Sequence, residues 1–561
     1  MRPLLLLLAL LVSTPLFSAT VSEPKDFAVA SAHPLATRAG IQILAQGGNA
    51  FDAAVAVAAM LGVVEPYSSG LGGGGFWLLH RASDNSTVMI DAREMAPGAA
   101  SAGIYVDKDG KVNRDKAINT PLAAGIPGQA AAFDYLTKHY GKLPLITTLA
   151  PAIRAAQNGF PVNPVYETLA AYRAPILQRS ADSARIFLND GQPFGPGTLI
   201  RQPDLAQTLK TLALSGADSF YSGPLAKKLV DGVRAGGGIW TLDDLAQYKV
   251  VVRKPVHFTY KDAEIWSAAP PSSGGVLLEE MFGMLSQFQL KGLSEADRTH
   301  LLIEIMRRAY RDRALYLGDP DFYPVPKKLF DPHYLEDLAA DISFAHATPS
   351  SQLGKVAPPP SGNHTTHFSI IDKQGNYVAV TLSVNLPFGC GYTVPGTGVL
   401  LNDEMDDFSA QPGSPNAYGL VGSAANAIAP HKRPLSSMTP TFMEYGPKDN
   451  RQMAIVGTPG GSRIITMVFL ALLEALDNKP PQAWVDRPRF HHQYLPDVVE
   501  YEPGAFSPEL IKALEAKGHT LKSTERHYGD MQAIRWFMSN GIVQAASDKR
   551  RLGYAQVGVQ Q

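Results

Sequence analysis

A single cysteine, Cys390, stands in 561 residues. The chain can therefore hold no intrachain disulfide framework and no zinc or iron–sulfur site built on several thiolates. Cys390 itself, in Phe388-Gly389-Cys390-Gly391, has no supporting pattern and reads as a small buried hydrophobe. Charge of one sign is missing as well: 50 Lys and Arg against 51 Asp and Glu leave a net charge of −1. No global field exists to hold a polyanion, which argues against nucleic acid as a partner. HExxH does not occur, and the pairs His364/His367 and His491/His492 lack further partners, so no metal is expected. No Gly-x-Ser-x-Gly elbow is present, which removes the α/β serine hydrolases. Gly70-Leu71-Gly72-Gly73-Gly74-Gly75 lacks the Lys-Ser/Thr of a phosphate loop and precedes strands rather than following one. Its glycines are read instead as a place where two layers of backbone approach closely. No cofactor is expected.

Long apolar runs are confined to the N-terminus. Met1-Arg2, the run from Leu4 to Val12 and the polar exit Ser13-Thr14-Pro15 have the form of a secretory signal peptide, ending near residue 19. The run is too short to span a bilayer, so a soluble protein outside the cytoplasm is expected, with a bacterial periplasm suiting one unpaired cysteine best. At about 150 residues per domain the length would fit three to four domains. The 50 glycines and 43 prolines exceed the usual roughly 12% and indicate a loop-rich globular chain without repeats.

Periodicity predicts two helices within 36–64, broken at Gly47-Gly48 with Asn49 as cap, followed by strands at 76–80 and 87–91. Helices then dominate, at 128–139, 147–158, 204–214, 225–235, 276–287 and 295–317. The stretch Ala357-Pro358-Pro359-Pro360-Ser361-Gly362-Asn363-His364 reads as an exposed linker. Beyond it the chain turns strand-rich. A hairpin is expected over 366–371 and 377–383, then strands at 398–401, 439–444, 453–456, 498–500, 533–537 and 541–545, with a helix at 462–476. Strands in both parts with long helices between them suggest an α+β protein with sheets packed between helical layers.

Thr365 stands where that linker meets a strand. By position alone it reads first as a strand's opening residue, where β-branched side chains are common. Were the His364–Thr365 bond cut, however, Thr365 would carry an α-amine of reference pKa about 7.7–8.0 beside its own hydroxyl. Such an amine is a competent general base at neutral pH, so one residue would supply both nucleophile and base.

Four ordered motifs carry a resemblance: Asn363-His364-Thr365-Thr366-His367-Phe368-Ser369, Leu401-Asn402-Asp403-Glu404-Met405-Asp406-Asp407-Phe408-Ser409, Lys432-Arg433-Pro434-Leu435-Ser436-Ser437-Met438 and Gly457-Thr458-Pro459-Gly460-Gly461-Ser462-Arg463. Together with Gly47-Gly48-Asn49-Ala50-Phe51-Asp52 and Asp91-Ala92-Arg93-Glu94-Met95-Ala96-Pro97 they resemble the γ-glutamyltranspeptidase family, also called glutathione hydrolases. The resemblance implies an N-terminal-nucleophile hydrolase: a four-layer αββα fold, made as a precursor that cuts itself before its catalytic Thr. On this chain that means a large piece (20–364) ending at His364 and a small piece (365–561) beginning at Thr365, co-folded as a heterodimer.

A γ-glutamyl group presents an α-carboxylate and an α-ammonium together, so its pocket needs a cationic fork, neutral donors and carboxylate acceptors. The resemblance implies that Arg93 takes the α-carboxylate with help from Ser436 and Ser437, and that Asp407, Glu404 and Asn385 receive the α-ammonium. By sequence alone Asp406-Asp407 could equally be a solvated acidic loop and Arg93 a surface ion pair. Gly460 and Gly461 precede a helix, where unpaired N–H groups collect, and fit an oxyanion hole; an ordinary glycine turn is the alternative. The resemblance also places Ser383 where relatives commonly have a Thr that hydrogen-bonds the catalytic residue, and Tyr418 at the aromatic of a lid loop in some members, a loop Tyr packed on the surface being the alternative. The expected substrates are γ-glutamyl donors such as glutathione, with water, amino acids or dipeptides as acceptors. A glutaryl or cephalosporin acylase of the same superfamily is the nearest rival, and a periplasmic solute-binding protein a rival from another class.

Overall fold

The computed structural model describes residues 21–354, 365–409 and 424–558. The signal-like N-terminus, His364 with its linker, and Tyr418 lie outside the described residues. Thirteen strands build two antiparallel sheets. They are β1 (Ala28–Ser31), β2 (Gly74–Arg81), β3 (Ser86–Ala92), β4 (Val251–Arg253), β5 (Val256–Tyr260), β6 (Ala263–Ser267), β7 (Thr366–Ile371), β8 (Tyr377–Ser383), β9 (Thr441–Tyr445), β10 (Gln452–Gly457), β11 (Gln532–Phe537), β12 (Val543–Ser547) and β13 (Tyr554–Val557). The first sheet runs β13-β1-β7-β8-β2-β3-β4 and the second β12-β11-β10-β9-β6-β5. Every neighbouring pair in them is antiparallel.

Alternation along the strands sets the layers, because successive side chains leave opposite faces of a sheet. In β2, Trp77 and Leu79 join one core cluster while Phe76 and Leu78 join another. In β10, Met453 and Ile455 meet Phe76 and Leu78 between the sheets, whereas Ala454 and Val456 face away. The outer face of the first sheet is covered by α1 (Pro34–Ala45), α2 (Ala50–Val64), α3 (Gln129–His139), α4 (Leu145–Asn158) and α5 (Pro203–Ser215). That of the second is covered by α6 (Gly274–Leu285), α7 (Glu295–Tyr316) and α8 (Ile464–Leu476). Strands buried on both faces read as continuous apolar runs, and β7 and β8 are buried along their whole length. This is the expected α+β, αββα arrangement.

Asn49 caps α2 as the sequence suggests. Its side chain accepts from the Phe51 and Asp52 amides at 3.0 Å, and Asp52 accepts from the Asn49 amide at 2.9 Å, a reciprocal capping box. The glycine run also behaves as expected. A Cβ on Gly72, Gly73 or Gly74 would come within 2.0–2.2 Å of the carbonyl oxygens of Leu400, Ser383 and Ala92 respectively, so only glycine allows these backbones to touch.

Two expectations are corrected. Residues 398–401 form no strand: apart from a bridge between Thr393 and Leu400, that backbone bonds locally. Leu401 accepts from the Cys390 amide at 3.1 Å and donates to Tyr392 at 3.0 Å, and Leu400 packs under Gly72. The three to four domains suggested by length are one unit, because each sheet combines strands of β1–β6 with strands of β7–β13. The helix-dominated middle region also holds strands that the sequence does not suggest: 251–267 supplies β4, β5 and β6.

Candidate active site

One pocket of about 320 Å³ brings together Thr365, Ser383, Asn385, Arg93, Glu404, Asp407, Ser436, Ser437 and Gly461. Arg93 and Gly461 are nearly 370 positions apart in the chain, and the sheet register explains part of the convergence. In the β7–β8 hairpin Thr366 faces Leu382, so the next rung sets Thr365 against Ser383. Ser383 is in turn paired with Gly74 of β2, and its Oγ accepts from the Asn385 amide at 2.8 Å. Asn385 has φ 74°, a left-handed conformation that Asn tolerates better than most residues. Its side-chain amide donates to the Asp403 carbonyl at 3.0 Å. Thr365 is 5% exposed, so its hydroxyl sits at the pocket wall and not on the surface.

Arg93 follows the last residue of β3. It is fully buried and so is no surface ion pair. Its Nη1 donates to Glu404 and its Nη2 to Asp407, while Nε reaches the Pro434 carbonyl at 3.2 Å. Burial opposes its charge, but the carboxylates of Glu404, Asp407 and Glu94 outweigh that and hold its pKa above the ordinary value. The same burial pushes the Glu404 carboxyl well up, only partly offset by Arg93. Glu94, 3.6 Å from Arg93, is raised to about 7, again chiefly by burial. Glu404 Oε2 finds no hydrogen-bond partner among the described residues. The acidic stretch is therefore not a solvated loop: Asp406 is buried against Arg114 at 2.7 Å, and Asp407 points to Arg93.

The Ser436-Ser437 pair is brought in by its neighbour Arg433. The Arg433 guanidinium donates to Asp91 Oδ1 at 2.6 Å, and its amide donates to Asp319 Oδ2 at 2.8 Å. Asp91 lies on β3 two residues before Arg93, so a single ion pair docks the serine segment beside the arginine. Ser436 Oγ accepts from the Met438 amide at 3.1 Å, and Ser437 Oγ accepts from Arg313 Nη2 at 3.0 Å. Each hydroxyl is thus occupied as an acceptor and keeps its own proton to give.

Gly460 and Gly461 have φ 149° and 57°, and a short 3-10 turn, Gly461–Arg463, leads from them into α8. Neither amide donates to an acceptor among the described residues. Gly461 lines the pocket directly; Gly460, which precedes it in the chain, is not among the lining residues. Cys390 lies outside the pocket lining. Burial pushes its thiol up to about 12, which makes it unreactive at neutral pH.

Sequence reasoning missed Arg313, Met438 and Ser462 in the pocket wall. Arg313 is one of four arginines in seven residues of α7, with Arg307, Arg308 and Arg311, and nothing in the pattern distinguishes which of them faces a site. Among the described residues no cluster of His, Cys, Asp and Glu could hold a metal.

The gamma-glutamyltranspeptidase family model matches residues 36–558. Glutathione hydrolase proenzyme of Escherichia coli (strain K12) is 42% identical over 533 residues, covering 94% of this chain and 90% of the relative. Among solved structures, cephalosporin acylase from Bacillus halodurans superposes with a TM-score of 0.81 at 27% identity, over 96% of both chains. Helicobacter pylori gamma-glutamyltranspeptidase gives a TM-score of 0.56 at 37% identity, over 57% of this chain and 93% of its own. A family match of that extent, on a chain whose motifs meet in one pocket, identifies it as a member of the γ-glutamyltranspeptidase family.

Proposed function

We propose that the chain is a γ-glutamyltransferase and glutathione hydrolase that cuts itself at His364–Thr365 and then uses Thr365 as its nucleophile. In the precursor, Thr365 Oγ attacks the His364 carbonyl carbon, the peptide C–N bond breaks, and the acyl group moves to oxygen. Water hydrolyses that ester, leaving a carboxylate on His364 and a free α-amine on Thr365. The two pieces, 20–364 and 365–561, remain one heterodimer because both sheets mix strands from either side of the cut.

In the catalytic cycle Oγ attacks the γ-carbonyl carbon of the donor and the α-amine of Thr365 takes the proton. The Gly460 and Gly461 amides stabilise the oxyanion, and Ser383 holds Oγ in line. The proton passes to the departing amine, leaving a γ-glutamyl ester on Thr365. Water then releases glutamate, or an amino acid or dipeptide acceptor takes the γ-glutamyl group. Arg93, Ser436 and Ser437 bind the α-carboxylate, and Asp407, Glu404 and Asn385 the α-ammonium. No cofactor enters the reaction. The N-terminal apolar run exports the chain to the periplasm or beyond; among the described residues no helix is long and apolar enough to cross a membrane.

The observation that carries this reading is the pairing of Arg93 with two carboxylates and two donating serines in the pocket of Thr365. The likeness to a cephalosporin acylase keeps a glutaryl acylase as the second reading. A glutaryl group has no α-ammonium and no use for Asp407 and Glu404. The γ-glutamyl p-nitroanilide is therefore expected to exceed the glutaryl anilide in kcat/KM by about 10²-fold, one charged hydrogen bond being about 1.5–3 kcal/mol. A preference for the glutaryl donor would instead make the chain an acylase. A solute-binding protein would turn over neither.

A further inference from the structure

Arg313 lies in the wall of the same pocket as Arg93 and Thr365, yet it belongs to none of the motifs that led to the site. It projects from α7 and is 4% exposed. Its Nε donates to Ser273 Oγ at 2.8 Å and its Nη2 to Ser437 Oγ at 3.0 Å. No carboxylate among the described residues pairs with it, whereas Arg93 is held by Glu404 and Asp407. Burial lowers its pKa to about 10, so it stays protonated at neutral pH.

A buried guanidinium satisfied only by hydroxyls is unfavourable unless an anion completes it. The hydrogen-bond directions show where that anion would sit. Ser437 accepts from Arg313, so its proton is left to be given to a ligand. Ser273 accepts from Arg313 and donates to the Ser436 carbonyl at 2.7 Å, which ties the guanidinium to both serines of the segment. An entering carboxylate meets Arg93 already in contact with two carboxylates, whereas Arg313 is in direct contact with none among the described residues and feels Asp407 only at a distance.

Resting on the γ-glutamyl reading of the pocket, we propose that Arg313 is a positioning and specificity-determining residue for the donor's α-carboxylate. It holds Ser437 as a hydrogen-bond donor and supplies a positive charge that no carboxylate among the described residues pairs by contact.

The test compares two anilide donors: γ-glutamyl p-nitroanilide, and 4-aminobutyryl p-nitroanilide, which is the same group without its α-carboxylate. In the processed enzyme, Arg313→Gln is expected to raise KM for the γ-glutamyl donor by about 10- to 100-fold. Its kcat/KM for the 4-aminobutyryl donor should stay within about threefold, so selectivity for the carboxylate collapses. Arg313→Lys, which keeps the charge and loses the fork, should recover part of that selectivity. Equal losses on both donors, with selectivity unchanged, would overturn the proposal and leave Arg313 a structural residue. Should Arg313→Gln fail to fold, Arg313→Lys and Ser273→Ala carry the test: reduced selectivity is expected in both, and wild-type selectivity in both overturns the proposal. A wild-type enzyme that does not favour the γ-glutamyl over the 4-aminobutyryl donor would instead overturn the γ-glutamyl reading itself.

Discussion

Thr365→Ala is expected to accumulate as one uncut chain with no measurable γ-glutamyl transfer or hydrolysis. The substitution removes the only oxygen in the proposed scheme that attacks both the His364 carbonyl and the donor. It also keeps the α-nitrogen of residue 365 in a peptide bond, so the general base never forms. Loss of a nucleophile that works as a unit with its base costs on the order of 10⁴-fold or more in kcat. The fold should survive, because residue 365 precedes β7 and the hairpin ladder starts at Thr366. Thr365→Ser restores the hydroxyl without the methyl and should cut and turn over, more slowly. Denaturing gels and an anilide assay read both outcomes. Normal cutting in the Ala variant would remove Thr365 from the mechanism.

The second large effect is at Arg93. Arg93→Lys keeps a cation but loses the planar fork that spans Glu404 and Asp407 on one side and a substrate carboxylate on the other. Losing one charge-assisted bond of about 1.5–3 kcal/mol should lower kcat/KM for a γ-glutamyl donor by about 10- to 150-fold, mostly through KM. Arg93→Gln goes further, to about 10²–10⁴-fold, because the charge is gone as well. It also strands two acids in the interior, where breaking a buried pair typically costs about 3–5 kcal/mol. Burial already raises the proton affinity of Glu404, so that acid can neutralise itself and soften the loss. Steady-state kinetics with thermal melts separate binding from stability, and full kcat/KM in Arg93→Lys would exclude this residue from substrate binding.

Much of this site was legible because its residues sit in short, ordered motifs that chemistry can interpret locally. Thr365 at a linker–strand junction and Gly460-Gly461 before a helix are examples. The fold class was legible for a similar reason: β7 and β8 are largely apolar, β-branched runs around a turn, and α2 carries its own cap. What stayed hidden depends on long-range contacts. Residues 398–401 look like a strand, but the turn segment 390–394 takes up the backbone groups of Val399 and Leu401, and Gly72 packs closely on Leu400. The strand β1 and the edge strand β13 are only four residues each and pair with each other across nearly the whole length of the chain, so no local window reveals them. Arg313 is hidden among its neighbours on α7; Arg307 and Arg308 are at least as buried, and only its place in the pocket wall singles it out.

The single cysteine now has a structural meaning: it is a sealed, unreactive thiol, and the proposed nucleophile is a threonine that must first be freed from its peptide bond. N-terminal sequencing of the purified wild-type protein tests that claim most directly. Two N-termini are expected, one near residue 20 and one reading Thr-Thr-His-Phe-Ser from Thr365. An active preparation with an intact His364–Thr365 bond would contradict the account.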